Sequence, residues 1–213
     1  MSTYKLRKQV ILYSHRLDTR GFVANHDGNI TARLTTDDRF LATPTARGKF
    51  ELKETDLIVV DTSGKTKSGG VKIFGEWSLH AALYKAWPEI TAIVHAHPPH
   101  ASSLGLAGSG LPVDFWPEGV VTLGRQVPCV ENDATALGAV ARRASACLVQ
   151  GNGVFAWGSS IEQAYLRLEL VEHLTQIYTL ARAGGTYRNL PAATVSGLLE
   201  KRKKAGLFSP EEV

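Results

Sequence analysis

Two histidines separated by one residue, His95-Ala96-His97, follow the β-branched pair Ile93-Val94 and precede Pro98-Pro99. In an extended strand residues i and i+2 project to the same face, so both imidazoles point one way. Proline cannot donate to a sheet ladder, so Pro98-Pro99 stops the strand and leaves the histidines at its end. Two neutral imidazoles on one face can share a divalent metal. Read alone, the spacing also fits one core histidine beside one exposed histidine. Seventeen residues before Ile93 stands Glu76, at the start of an amphipathic stretch. A carboxylate there is a dipole partner for a helix start, or an acid/base if the fold brings it to the metal. His80, one helical turn further along the same face, reads as support for such a site rather than as a ligand.

These side chains need elements to hold them. Apolar residues at helical spacing (Leu6, Val10, Leu12, Tyr13, Leu17), with Gly21 as a stop, predict a first helix from Tyr4 to Leu17. The turn signal Asp27-Gly28-Asn29 leads into short strands predicted over 30–34, 39–42 and 57–61. Leu79, Ala82, Leu83 and Ala86 form one stripe, so a helix is predicted from Glu76 to Trp87, ended by Pro88. The strand of the histidines spans 91–97, and a helix from Pro99 to Leu106 runs into the glycine-rich segment 105–110. Further strands are predicted over 120–123, 127–130, 147–150 and 154–157, with a helix over 133–144 among them. A long helix follows from Ser160, a plausible N-cap, to Arg182, and a shorter one opens at Pro191 and runs to Lys204. Strands and helices alternate irregularly, with hairpin-like turns between. A largely antiparallel sheet flanked by helices therefore fits better than a doubly wound parallel sheet.

Composition narrows the class. The chain has 213 residues, 44% of them hydrophobic, enough for one substantial core, and reads as a single domain over 1–213. No run of eighteen apolar residues occurs and the charged, amphipathic N-terminus lacks the apolar core of a signal peptide, so the expectation is a cytoplasmic protein without a membrane partner. Cys129 and Cys147 lie in apolar surroundings without CxxC spacing, and read as buried thiols. Much of the formal charge of +4 comes from Lys201-Arg202-Lys203-Lys204. At a helix end such a run complements the dipole, and without interleaved aromatics it gives no reason to expect a nucleic-acid partner.

Six segments occur in order: Gly28-Asn29-Ile30-Thr31-Ala32-Arg33, Thr43-Pro44-Thr45, Leu57-Ile58-Val59-Val60-Asp61, Gly75-Glu76-Trp77-Ser78-Leu79-His80, His95-Ala96-His97-Pro98 and Gly153-Val154-Phe155-Ala156-Trp157-Gly158. Together, from Arg16 to Arg182, they resemble the class II aldolase/adducin family. The resemblance implies an α/β fold, three layers in αβα order around a mostly antiparallel sheet. It also implies a homotetramer with sites at subunit interfaces. By the same resemblance His95 and His97 bind a divalent metal, zinc in most members, and Glu76 is the catalytic acid/base. The residues agree with that chemistry. Imidazoles suit zinc, and three protein ligands leave a position open for substrate oxygens, so the metal can polarise a ketose carbonyl and stabilise an enediolate.

The chain departs from the family pattern in three places. The third metal ligand, a histidine in the family, is Asn152 here. An amide oxygen serves zinc less well than imidazole but suits magnesium or manganese, so those metals stand beside zinc as candidates. Four arrangements stay open: Asn152 coordinates, Glu76 completes the site, His100 substitutes, or the metal is lost. The substrate-binding positions are Asn29, Thr45 and Gly75, but the serine pair that helps hold a phosphate in the sugar-phosphate aldolases reads Phe74-Gly75, and a glycine after the threonine reads Ala46. Two hydroxyl donors are gone, which removes hydrogen bonds an anion would use. Lys49, Arg47, Lys65 and Lys72 are nearby cations. The third departure is Trp116, which stands nearest to where a neighbouring subunit's tyrosine enters the site in fuculose-phosphate aldolase, and an indole has no hydroxyl proton to deliver.

The expectation is a metal-dependent aldolase, a lyase that makes or breaks a carbon–carbon bond in a small sugar phosphate or hydroxy-carbonyl compound. The alternatives are an epimerase or a decarboxylase of a hydroxy or keto acid on the same fold. A third is a non-catalytic, adducin-like oligomeric binding module with a degraded metal site.

Overall fold

The computed structural model describes residues 2–34, 38–67, 71–207 and 210–211. Helix α1 (Thr3–Thr19) starts at Ser2, whose hydroxyl accepts from the Lys5 amide, and buries Leu6, Val10, Tyr13 and Leu17. Strands β1 (Asn29–Arg33), β2 (Phe40–Ala42) and β3 (Ile58–Val60) form an antiparallel meander. Helix α2 (Trp77–Ala86) leads to β4 (Ala92–Ala96), which returns antiparallel to β1. After α3 (Pro99–Leu106) comes β5 (Leu111–Pro112), then α4 (Pro117–Leu123), β6 (Gln126–Val127), β7 (Cys129–Val130) and α5 (Ala134–Val140). Strands β8 (Ala146–Val149) and β9 (Val154–Gly158) complete the main sheet, and α6 (Ile161–Ala183) and α7 (Ala192–Lys204) close the chain.

The sheet has seven strands in the order β3-β2-β1-β4-β9-β8-β7. Every neighbouring pair is antiparallel except β7 with β8, which runs parallel at the edge. Successive residues of β4 alternate between two cores. Ala92, Val94 and Ala96 join the larger one with α1, α3, α4 and α6, while Ile93 joins the other with α2 and α5. Both faces of the sheet are therefore covered, which is the expected three-layer αβα arrangement of a mixed, mostly antiparallel sheet. The strands contain almost no exposed position because each face has a partner. Among the described residues no helix is long and apolar enough to cross a membrane.

Three local expectations are corrected. Residues 120–123, predicted as a strand, belong to helix α4. Pro117 lies in its first turn and Glu118 complements the dipole there, while Gly119 lies close enough to Val113 and Leu174 that a Cβ would meet both. These outweigh the strand propensity of Val120 and Val121. The strand predicted over 127–130 is two short pieces divided at Pro128: Val127 pairs with Leu111 and Cys129 with Leu148. Helix α5 is also shorter than predicted, its start set by Asp133, whose carboxylate accepts from the amides of Thr135 and Ala136.

Candidate active site

The candidate site forms where β1, β4 and the start of α2 meet. In the antiparallel register Asn29 stands directly opposite His95, and His95 opposite Phe155 of β9. Side chains opposite one another share a face, so the pairing alone brings the amide to the imidazole. The His95 ring stacks on Phe155, with centroids 4.0 Å apart and planes 18° from parallel. β4 ends at Ala96, and the His97 amide then donates to the Phe22 carbonyl at 2.9 Å. Gly153 admits this path. It adopts φ +67°, and a Cβ there would meet the Ala96 carbonyl and lie 2.7 Å from His97 Cδ2.

The two imidazoles face each other with Nε2 atoms 3.1 Å apart. His95 Nδ1 donates to the Val154 carbonyl at 3.0 Å, which leaves its Nε2 with a lone pair. Burial, and then the neighbouring His97, hold His95 well below the ordinary histidine pKa, so the ring is neutral. His97 Nδ1 lies 3.4 Å from Asp27 Oδ2, and a carboxylate there favours the proton on Nδ1. Two lone pairs thus converge on one point, where a cation resolves their repulsion. The separation matches nitrogens each about 2.0–2.1 Å from a single ion. Among the described residues no third His, Cys, Asp or Glu gathers with this pair. His100, one candidate third ligand, is engaged elsewhere: its Nδ1 bonds Glu172 at 2.8 Å. Asn152 is buried and its Nδ2 donates to Asn132 Oδ1 at 3.1 Å, which leaves Oδ1 as an available acceptor. The two imidazoles facing one another suit a divalent cation.

Beside the histidines opens a cleft of about 300 Å³ lined by His26, Asp27, Asn29, Thr45, Gly75 and Glu76 among others. All four residues predicted for substrate and acid/base roles, Asn29, Thr45, Gly75 and Glu76, are brought together there. Glu76 is the residue before α2 rather than a member of its first turn, and its Oε2 accepts from Asn29 Nδ2 at 3.4 Å. A Cβ on Gly75 would meet nothing within 4 Å, whereas Phe74 is buried and packs 5.1 Å from the His80 ring. Trp116 is the residue before α4 and is exposed.

Two contributors escaped the sequence reading. Asp27 looked like a turn residue, yet its carboxylate orients His97; its position two residues before Asn29 was the available signal. Lys49 looked like a solvated loop cation but is 1% exposed, its Nζ donating to the carbonyls of His26 at 3.3 Å and Arg47 at 3.2 Å. Burial pulls its pKa down to about 8, against the opposing fields of Asp27, Glu76 and Asp18.

Residues 8–179 match the family described as Class II Aldolase and Adducin N-terminal domain. The chain belongs to that family. Methylthioribulose-1-phosphate dehydratase of Granulibacter bethesdensis is 31% identical to this class II aldolase family member over 186 residues, covering 78% of this chain and 86% of the relative. An L-fuculose 1-phosphate aldolase structure superposes with a TM-score of 0.85 at 25% identity, over 95% of this chain and 98% of the other. YgbL from Klebsiella pneumoniae, named by three reactions as an aldolase/epimerase/decarboxylase, superposes at 0.83 with 31% identity, over 93% of this chain and 99% of its own. These similarities support an enzyme of the lyase class, and class II aldolases depend on a divalent metal.

Proposed function

We propose that the chain is a single-domain, metal-dependent lyase that makes or breaks a carbon–carbon bond beside a carbonyl in a small sugar phosphate or related hydroxy-carbonyl compound. The observation that carries this reading is the convergence of two imidazole lone pairs, 3.1 Å apart, beside a cleft that Glu76 lines. His95, His97 and Asn152 hold a divalent metal, zinc first, with manganese or magnesium suited to the amide oxygen. When bound, the metal supplies Lewis-acid polarisation of the substrate carbonyl.

The remaining steps belong to the protein. Asn29 and Thr45 orient the substrate's polar end in the cleft, and Gly75 leaves it room. Buried Lys49, behind His26, adds positive potential for an anion. Glu76 takes a proton from the substrate carbon or hydroxyl at Oε1 or Oε2 and returns it on the other side of the bond change. A relative 31% identical in sequence is named a dehydratase, and proton removal next to a carbonyl equally permits loss of a β-hydroxyl, so elimination is the second reading. We also infer a homotetramer with sites at subunit interfaces, working in the cytoplasm.

Solvent deuterium exchange into dihydroxyacetone phosphate, the smallest ketose phosphate, tests the reading with protein loaded with zinc or manganese. Exchange that disappears in Glu76→Gln supports it. Full-length protein that takes up neither metal and exchanges no deuterium would move the assignment to a binding module.

A further inference from the structure

Residues 76, 80 and 84 lie on one side of α2 and its start, and residues 29 and 31 on one face of β1. Four helical residues advance about 6 Å and two strand residues about 6.7 Å, so the two series interleave when helix and strand run side by side. The result is an unbroken chain of polar contacts. Tyr84 OH is 2.9 Å from Thr31 Oγ1, which is 2.8 Å from His80 Nδ1. His80 Nε2 is 2.6 Å from Asn29 Oδ1, and Asn29 Nδ2 is 3.4 Å from Glu76 Oε2. Thr31 and His80 are fully buried and Tyr84 nearly so.

The direction of every proton follows from the chemistry of the atoms. An amide oxygen only accepts, so His80 Nε2 carries the hydrogen. Burial holds the ring neutral, with a pKa of about 3, so Nδ1 is bare and must accept from the Thr31 hydroxyl. Thr31 has then spent its proton, and accepts in turn from Tyr84. With Oδ1 committed to His80, the Asn29 amide has only N–H to offer Glu76. Reversing the chain would turn the amide oxygen toward the Glu76 carboxylate, acceptor against acceptor.

We propose that Tyr84, Thr31 and His80 are positioning residues whose directed hydrogen bonds aim the Asn29 N–H at Glu76 and hold that carboxylate oriented to receive a proton. The inference rests on Glu76 being the proton-transferring group, but its structural content can be read without turnover. Neither the hydrophobic packing of α2 nor metal binding requires this polarity. An apolar pair at positions 31 and 84 would fill the same space.

Nitrogen-15 spectra of ring-labelled histidine in the zinc-loaded protein report the His80 tautomer, and those of side-chain-labelled asparagine report the hydrogen bonding of the Asn29 amide. The wild type is expected to show His80 with hydrogen on Nε2. Thr31→Val, nearly isosteric, should allow the other tautomer and shift the Asn29 side-chain amide resonance as its hydrogen bonds loosen. It should lower the maximal rate of deuterium exchange into dihydroxyacetone phosphate by about 10-fold with KM changed less than about 2-fold. Tyr84→Phe, which removes one oxygen, should act in the same direction and more weakly, and serves if Thr31→Val does not fold. His80 protonated on Nδ1 in the wild type, or variants that move neither the tautomer nor the Asn29 amide resonance, would overturn the proposal. If Glu76→Gln retains exchange, the functional reading falls, and the two spectra still decide the relay.

Discussion

His80 Nε2 and Asn29 Oδ1 lie 2.6 Å apart in a site where both groups are buried. A hydrogen bond between two desolvated groups cannot be traded for one with water, so each fixes the other's orientation. The same histidine makes folding sensitive to acid. Its pKa in the folded chain, about 3, is below the ordinary 6.5, so the unfolded chain binds a proton that the folded chain refuses. Stability therefore falls as pH drops below about 6.5, by up to about 1.4 kcal/mol per pH unit from this group. Buried His95 acts in the same direction. Denaturant melts between pH 7 and 4 should show a shallower slope for His80→Gln than for the wild type.

Removing a metal ligand should separate binding from folding. His95→Ala or His97→Ala is expected to weaken zinc affinity by roughly 100-fold or more while the far-ultraviolet circular dichroism stays near wild type. Calorimetric titration with zinc checks this. Unchanged stoichiometry and affinity after both replacements would exclude the pair as the metal centre. Asn152→His should move the other way and raise zinc affinity by about 10-fold or more, because imidazole is the better zinc ligand.

Lys49 is an ammonium buried at a cost. Its depressed pKa means the folded chain sheds the proton above about pH 8 while the unfolded chain keeps it, so stability should rise as pH climbs from 8 toward the unfolded value of 10.5. Lys49→Met is therefore expected to stabilise the protein at pH 7 by about 1–3 kcal/mol, less whatever the lost bonds to His26 and Arg47 contributed. The gain should vanish at high pH. Affinity for an anionic substrate should fall in the same variant.

Gly75 offers a gain in binding. Nothing lies within 4 Å of a Cβ placed there, so Gly75→Ser adds a hydroxyl to the cleft without a clash. Affinity for inorganic phosphate, followed by titration, should rise by a few-fold to about 10-fold, the worth of one added hydrogen bond to a charged group.

Gly153→Ala should damage fold and site together. Its φ of +67° and the proximity of Ala96 and His97 leave no room for a methyl group. A loss of about 2 kcal/mol or more in thermal unfolding is expected, together with weakened metal binding as His97 is displaced.

What was legible in the sequence depended on how local the signal was. The helix after Glu76, the strand of the histidines and the sheet class followed from periodicity and from proline stops, and Asn29, Thr45, Gly75 and Glu76 do share a cleft. Residues 120–123 were misread because β-branched propensity is overridden when a proline starts a helix and neighbouring helices cover it. Asp27 and Lys49 were underrated for a related reason: a turn carboxylate or a loop lysine shows nothing of its burial until strands distant in sequence close around it. Thr31 lies inside the segment 28–33 with nothing there to mark a role for it, and Tyr84 belongs to no motif. Their meeting depends on how β1 lies against α2, a tertiary relationship that no window of residues encodes.

The register that sets Asn29 opposite His95, and His95 opposite Phe155, also decides when the site comes into being during folding. Its parts come from β1, the start of α2, the end of β4 and the turn before β9, so no early hairpin contains them. Contacts so distant along the chain close late and slowly. A metal held by the proposed site would therefore be a ligand of the finished sheet rather than a template for it, and added zinc should slow unfolding while leaving the refolding rate nearly unchanged.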